Sequence, residues 1–474
     1  GWHAPARKRD VRFALLVATG AALLVAAGAF ALPIWVIAPW CAVAAGGILL
    51  FAERAEDPRL KSSAWGFAAA TLFLLIAGFT LEEGYRAVGE PSPIDIGGAV
   101  RWLVPAAVAL LFARRAGSAR GAAIGQLFAV LFFYLAAAQL VPPLLLPLIP
   151  TVLVAALSYA VRPTPAPALI ASYMLLLFWA SAPLMIWSFP AIASLAGEPF
   201  LSGQLPILSA AYLRLALPAL AIALAIRRAD LDPTMRFIAI TSSAALAAVA
   251  AHVVFKQLLT LDSFERFVAL GLAERTLWEA LLAGGALAAW RLRRSLIAIG
   301  LAAASLAHFA WFTLLLHNPL WSAQAVGPWL IPAYGIALAL LHLSARTALL
   351  RSVHRALEWG KILLIPLLAI SLLRQMFAGW LLTVGEVGAA EDIIRSLLGA
   401  LIAITYLQWG IQRRARDWRI ASLILMLGTV AKVFLFDAGG LDGLIRVASF
   451  AALGFSLIGV GWLYSRYLPD PRAV

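Results

Sequence analysis

The residues with the most capacity for chemistry are cations set into apolar runs and the acids that flank them. The densest group reads Lys432-Val-Phe-Leu-Phe-Asp437-Ala-Gly-Gly-Leu-Asp442-Gly-Leu-Ile-Arg446. Gly439 and Gly440 supply a turn, and Asp442 stands where it caps the following helix. Asp442 and Arg446 are four apart and share a helical face. Lys432 and Arg446 are about equally far from the turn, so both sit roughly 9 Å along their helices at 1.5 Å per residue. Two acids at a rim above two cations fit either a clamp for phosphate or carboxylate or a staple between two helices. Arg374, with Arg395 and the acids Glu386, Glu391 and Asp392, joins the same cluster if the last helices pack together.

Three further features carry chemistry. Arg214, in Ala211-Tyr212-Leu213-Arg214-Leu215, is the deepest cation with no acid near it in sequence. A cation at that depth costs roughly 2.5–3.5 kcal/mol on insertion scales, so it needs a partner, a water-filled cavity or a ligand. Glu82 and Glu83, just beyond a span, resemble the acidic pair of polyprenyl-phosphate-sugar glycosyltransferases, which acts as base or metal ligand. The same pair arises freely in any acidic loop. Among the six histidines, none has a spacing that puts two imidazoles on one helical face, and Cys41 is the only cysteine. The expectation is therefore no metal and no cofactor. His308 stands at mid-depth beside Trp311, either as a packing histidine or as a proton relay.

The elements that must position these residues are membrane helices. Of 474 residues 63% are hydrophobic and 13% charged, which excludes a water-soluble core of this size. Runs such as 13–32, 144–161 and 296–316 are unbroken, whereas a β-barrel would alternate. The fold expected is an all-α integral membrane protein, a polytopic bundle of about sixteen spans of ~17–23 residues. They fall at 11–32, 34–52, 64–82, 98–113, 121–141, 143–161, 168–189, 205–226, 236–256, 274–290, 295–317, 328–345, 356–379, 391–411, 418–437 and 443–465. Pro33 and Pro142-Pro143 divide neighbouring runs. Residues 1–474 read as a single polytopic membrane domain with possible halves at 1–235 and 236–474, and no soluble domain. The stretch 257–273 has the pattern of an amphipathic helix lying in the interface. The chain opens on Gly1 rather than Met, as a trimmed or excised piece would.

Charge fixes the orientation. The net charge of +14 is dealt out in twos and threes between apolar runs rather than massed on one element, which argues against nucleic acid as a partner. Of the 37 Lys and Arg residues, 26 fall in the N-terminal segment and alternate connections. The opposite connections hold mainly acids, so the positive-inside rule puts both termini in the cytoplasm of a bacterial inner membrane.

One resemblance adds to this. Trp418-Arg419-Ile420-Ala421, Lys432-Val433-Phe434 with Asp437, Leu441-Asp442-Gly443, Arg446-Val447-Ala448-Ser449-Phe450, Leu453-Gly454, Tyr464 and Arg466 form a terminal motif. Leu373-Arg374 with Phe377, and Asn318-Pro319 with Tyr334-Gly335, support it upstream. Over roughly 260–468 the sequence resembles a bacterial family of predicted membrane proteins, domain of unknown function twenty-three thirty-nine. The resemblance implies a membrane fold and carries no catalytic residues with it.

The functional expectation is a multi-pass protein with a polar pocket on its periplasmic side. Arg214, Arg374, Lys432 and Arg446 bind an anionic envelope lipid or glycan there, oriented by Asp437 and Asp442. Partners are membrane lipids and that anionic component. The alternatives are an assembly protein whose charge pairs staple helices, and a membrane-embedded transferase using Glu82 and Glu83.

Overall fold

A computed structural model describes residues 11–91, 93–160, 164–347 and 352–433, with scattered positions between 451 and 462. Among the described residues the chain is helical throughout, its one strand-like feature an isolated antiparallel bridge between Ala325 and Leu381. Eleven helices among the described residues are long and apolar enough to cross a membrane, and two shorter apolar helices, Pro143–Tyr159 and Leu330–Ala345, accompany them. The expected spans as far as 391–411 overlap described helices, 418–437 is described only to residue 433, and 443–465 lies largely outside the described residues.

The chain forms two compact units. The first comprises Gly1–Phe189 and Leu205–Gln257. It holds α1 (Val11–Ala31), α2 (Ile34–Ala55), α3 (Pro58–Ala77), the short α4 (Leu81–Ala87), α5 (Ile96–Arg115), α6 (Ala119–Ala138), α7 (Leu148–Ala160) and most of α8 (Ala166–Leu195). After a connection come α9 (Leu208–Ala211), a π turn at Tyr212–Ala216, α10 (Leu217–Arg228) and most of α11 (Pro233–Leu259). Pro33 separates α1 from α2, and Pro142-Pro143 separate α6 from α7, as expected of a residue that lacks the amide the helix needs. Asp57 caps α3 by accepting from the Arg59 amide at 2.8 Å.

Hydrophobicity cannot drive helices together where lipid is equally apolar, so close packing of small residues does more of the work. Gly125 of α6 shows it: a Cβ there would meet the Ala113 amide at 2.5 Å and the Ala109 carbonyl at 2.7 Å. That contact lets α5 and α6 approach backbone to backbone. Around them Leu75, Trp102, Ala106, Phe132 and Ala136 close one core cluster. Ala45, Ile48, Leu49, Ala64 and Phe112 close the next. Large apolar side chains such as Phe30, Ile34 and Phe73 stay exposed, where lipid tails cover them.

The second unit comprises Pro190–Gln204 and Leu258–Val474. Its described helices are α12 (Phe264–Arg291), α13 (Ser295–His308) continuing into a π turn at Phe309–Leu316, α14 (Leu330–Ala345), α15 (His354–Ala378), α16 (Ala389–Gln412) and α17 (Arg416–Lys432). Leu272, Phe309, Val326, Leu330, Tyr334 and Leu364 form its main core. The interfacial helix expected over 257–273 is not a separate element. Thr260 takes a left-handed φ of 50°, Ser263 caps at 3.3 Å from the Arg266 amide, and α12 runs unbroken for 28 residues. The charges of the stretch itself stay exposed, Arg266 pairing with Asp262 at 3.4 Å.

Replacing Gly125 with Val is expected to destabilise the first unit by about 1–3 kcal/mol through overpacking. Gly47→Val, at an open position, serves as the neutral control. Thermal unfolding in detergent reads both.

Candidate functional site

Among the described residues three groups of buried charges stand out. The first is the end of the second unit formed by α15, α16 and the loop between them. Gly379 ends α15 at φ 75° and Gly385 follows at φ 82°, backbone that only glycine adopts without strain. The loop they shape presents its carbonyls to Arg374. That guanidinium donates from Nε to Leu382 at 2.9 Å, and from Nη2 to Val384 at 2.8 Å and Gly385 at 2.6 Å. Its Nη1 meets Glu391 Oε2 at 2.6 Å. Glu391, 2% exposed, also takes Arg395 at 2.6 Å. Beside it Asp392 pairs with Lys432 at 2.9 Å, and Lys432 also reaches the Ser396 hydroxyl at 2.9 Å. The structure thus brings Arg374, Arg395 and Lys432 together against the start of α16, and every Arg374 nitrogen is engaged. Asp437, Asp442 and Arg446 lie outside the described residues.

The same loop reaches further. The Val326 amide donates to Trp380 at 2.8 Å, the Gln375 side chain to Gly327 at 2.6 Å, and the Ala325 amide to Val268 at 2.9 Å. Residues 318–329 are thereby held between α12 and the Arg374 loop.

That segment delivers Gln324 to the second place, a polar group inside α12, α13 and α14. Arg275 donates to Gln324 Oε1 at 3.2 Å and to the His317 carbonyl at 3.4 Å. Its Nε and Nη1 are buried with no hydrogen-bond partner. One turn on, Glu279 is 1% exposed; its Oε1 meets His308 Nδ1 at 3.0 Å and the Thr313 hydroxyl at 3.3 Å. Its Oε2 has no partner. Neither Arg275 nor Glu279 is among the residues singled out from the sequence. The signal was there: a carboxylate in the middle of an apolar run is expensive unless something in the bundle answers it.

The third place is the first unit. Arg101 meets Glu83 Oε1 at 3.2 Å and the Leu75 carbonyl at 3.0 Å, with both side chains almost fully buried. Glu83 Oε2 also accepts from the Thr80 amide at 3.1 Å, which closes a capping box on α4. Both Glu83 oxygens are therefore occupied, while Glu82 is exposed and touches Arg86 at 3.4 Å. Arg86 also bonds Gln139 at 2.9 Å and Asp95 at 3.4 Å, tying α4 to α5 and α6. It lines a cavity of about 220 Å³ with Glu90, Gln139, Pro142 and Pro143. Among the described residues no group of acids, histidines or cysteines is arranged to hold a metal ion.

Arg214 stands apart in kind. It sits in the π turn Tyr212–Ala216, half-buried, with its guanidinium 4.9 Å above the Trp179 ring. Trp179 donates to the Tyr134 hydroxyl at 3.0 Å, and Tyr134 to the Ala87 carbonyl at 2.6 Å. Gly89, at φ 90°, lets the chain after α4 close on the edge of the same indole. Among the described residues Arg214 has an aromatic face and no carboxylate. A wide turn of this kind inside a helix frequently marks a functional position.

A family model for predicted membrane proteins, DUF2339, matches residues 9–467. The chain belongs to this family. Membership extends the likeness seen in the C-terminal half to both units of this DUF2339 protein. Among curated proteins and among solved structures none matches it.

Removing one partner of a buried pair strands the other, at about 3–5 kcal/mol. Arg101→Met should therefore unfold the first unit far below the wild-type temperature, whereas Arg101→Met with Glu83→Met recovers much of the loss. Thermal unfolding of the two single variants and the double variant gives the coupling.

Proposed function

We propose that this DUF2339 protein binds an anionic lipid or glycan component of the bacterial envelope through Arg214. The observation that carries the reading is a cation within a membrane helix, stacked on Trp179 and lacking an acid among the described residues. Insertion of such a group costs roughly 2.5–3.5 kcal/mol, and a phosphate or carboxylate ligand offsets that cost. An aromatic platform beside a guanidinium suits a headgroup with one charged and one apolar or sugar face. In this reading the basic turns face the cytoplasm of an inner membrane, both termini lie there, and Arg214 is reached from the periplasmic leaflet.

The assembly reading applies to a different set of residues. The saturation of Arg374 by one carboxylate and three carbonyls favours a staple that holds the loop after α15. Lys432, bound to Asp392, belongs with it. Binding or movement of the ligand is preferred over group transfer, because Glu83 is committed to Arg101 and the cap of α4.

Arg214→Gln is expected to fold and accumulate as the wild type does, yet to lose at least about tenfold in affinity for anionic lipid, the loss of one charge-assisted contact. Native mass spectrometry from nanodiscs of phosphatidylglycerol and phosphatidylcholine reads the retained lipid. Equal retention by both proteins contradicts the proposal. Arg374→Met, in contrast, is expected to lower abundance and thermal stability.

A further inference from the structure

Glu279 and Arg275 both have unused hydrogen-bonding capacity, and the two capacities match. Glu279 Oε2 is a buried acceptor without a donor; Arg275 Nε and Nη1 are buried donors without acceptors. The residues are four apart on α12, hence on one face a single turn apart. A buried charged group left with open hydrogen-bonding positions costs free energy, so natural structures seldom leave two complementary ones side by side without use. In the structure the carboxylate instead turns its other oxygen to His308 Nδ1 at 3.0 Å and to Thr313 at 3.3 Å. Its backbone is fixed independently, because the Ser305 hydroxyl donates to the Glu279 carbonyl at 3.1 Å.

The His308 side chain is 21% exposed and that of Glu279 1%, so of the two the imidazole lies nearer the surface of the unit. His308 is the last residue of α13, where the backbone widens into the π turn Phe309–Leu316, and its ring lies against Phe312 at 4.8 Å. On the elements packed against α12 the other titratable groups are His317 after the π turn and Tyr334 and His342 on α14. On α12 itself Glu274 and Arg275 adjoin the pair.

We propose that Glu279 and His308 form a proton-binding site inside the second unit, in which one proton decides the partner of Glu279. With the proton on His308, imidazolium and carboxylate pair across α12 and α13. When the proton leaves, neutral imidazole holds the carboxylate weakly, and Glu279 turns to the open Nε and Nη1 of Arg275. The ligand is a proton, and the moving part is one side chain beside a turn already wider than an α-helix. This site is independent of Arg214, which belongs to the other unit.

Solid-state NMR of ¹⁵N-histidine in the full chain, held in nanodiscs, tests it, with the His308 signal assigned by its loss in His308→Gln. His308 should pass from imidazolium to imidazole as pH rises. Glu279→Gln should weaken its proton affinity by about tenfold or more, a shift of at least one pH unit in the midpoint. Arg275→Gln should act oppositely, since it removes the competing partner, and it decides the matter if Glu279→Gln fails to fold. An imidazole that stays neutral at every pH in the wild type, or a midpoint that neither variant moves, overturns the proposal.

Discussion

Inside a bilayer there is no water to solvate a charge, so each buried ionic group must find its partner within the protein. The arrangement of both units follows from that constraint. Helix length and apolar composition give the spans, but they do not say how one helix sits on another. The pairs do: Arg101 with Glu83 binds the start of α4 and the end of α3 to α5, and Arg86 with Gln139 and Asp95 binds α4 to α5 and α6. In the second unit Arg374 shapes a loop that secures residues 318–329, which in turn carry Gln324 to Arg275. One polar contact sets the geometry of the next.

Buried ion pairs of this kind are weak evidence for net stability, because desolvation costs much of what attraction returns. Their stronger role is selection among arrangements. A helix pair joined only by Leu and Ala can slide or rotate at small cost, whereas a guanidinium with four fixed acceptors tolerates one register. That explains why Arg374 sits beneath a loop shaped by two glycines with positive φ: the loop must turn its carbonyls inward, and only that backbone does so. Arg214 is built differently. Its Trp179 face gives attraction without direction, which leaves the charge free to meet something else.

The helical membrane architecture was legible in the sequence because hydropathy and proline are local signals. Pro33 and Pro142 end helices regardless of what surrounds them. The contacts of Arg374 and Lys432 with the start of α16 were also legible, since short connections force neighbouring spans together. Glu83 was read as a possible catalytic acid because its true partner, Arg101, is 18 residues away, across a fold that spacing does not reveal. The group around Arg275 and Glu279 was hidden for the same reason. Gln324, His308 and Thr313 come from three segments, and only packing brings them to α12. The stretch 257–273 is not a helix of its own but the end of α11, a turn and the start of α12, because amphipathic periodicity does not mark where a helix continues.

The account's central claim is that charges buried within the membrane are matched inside the protein, and that Arg214 is matched by a ligand. Cryo-electron microscopy of the chain in nanodiscs of native lipid tests this most directly. The account predicts non-protein density against the Arg214 guanidinium, beside Trp179, with Arg374 still closed on Glu391. A carboxylate of the protein itself on Arg214, or lipid density prising Arg374 from Glu391, would contradict it.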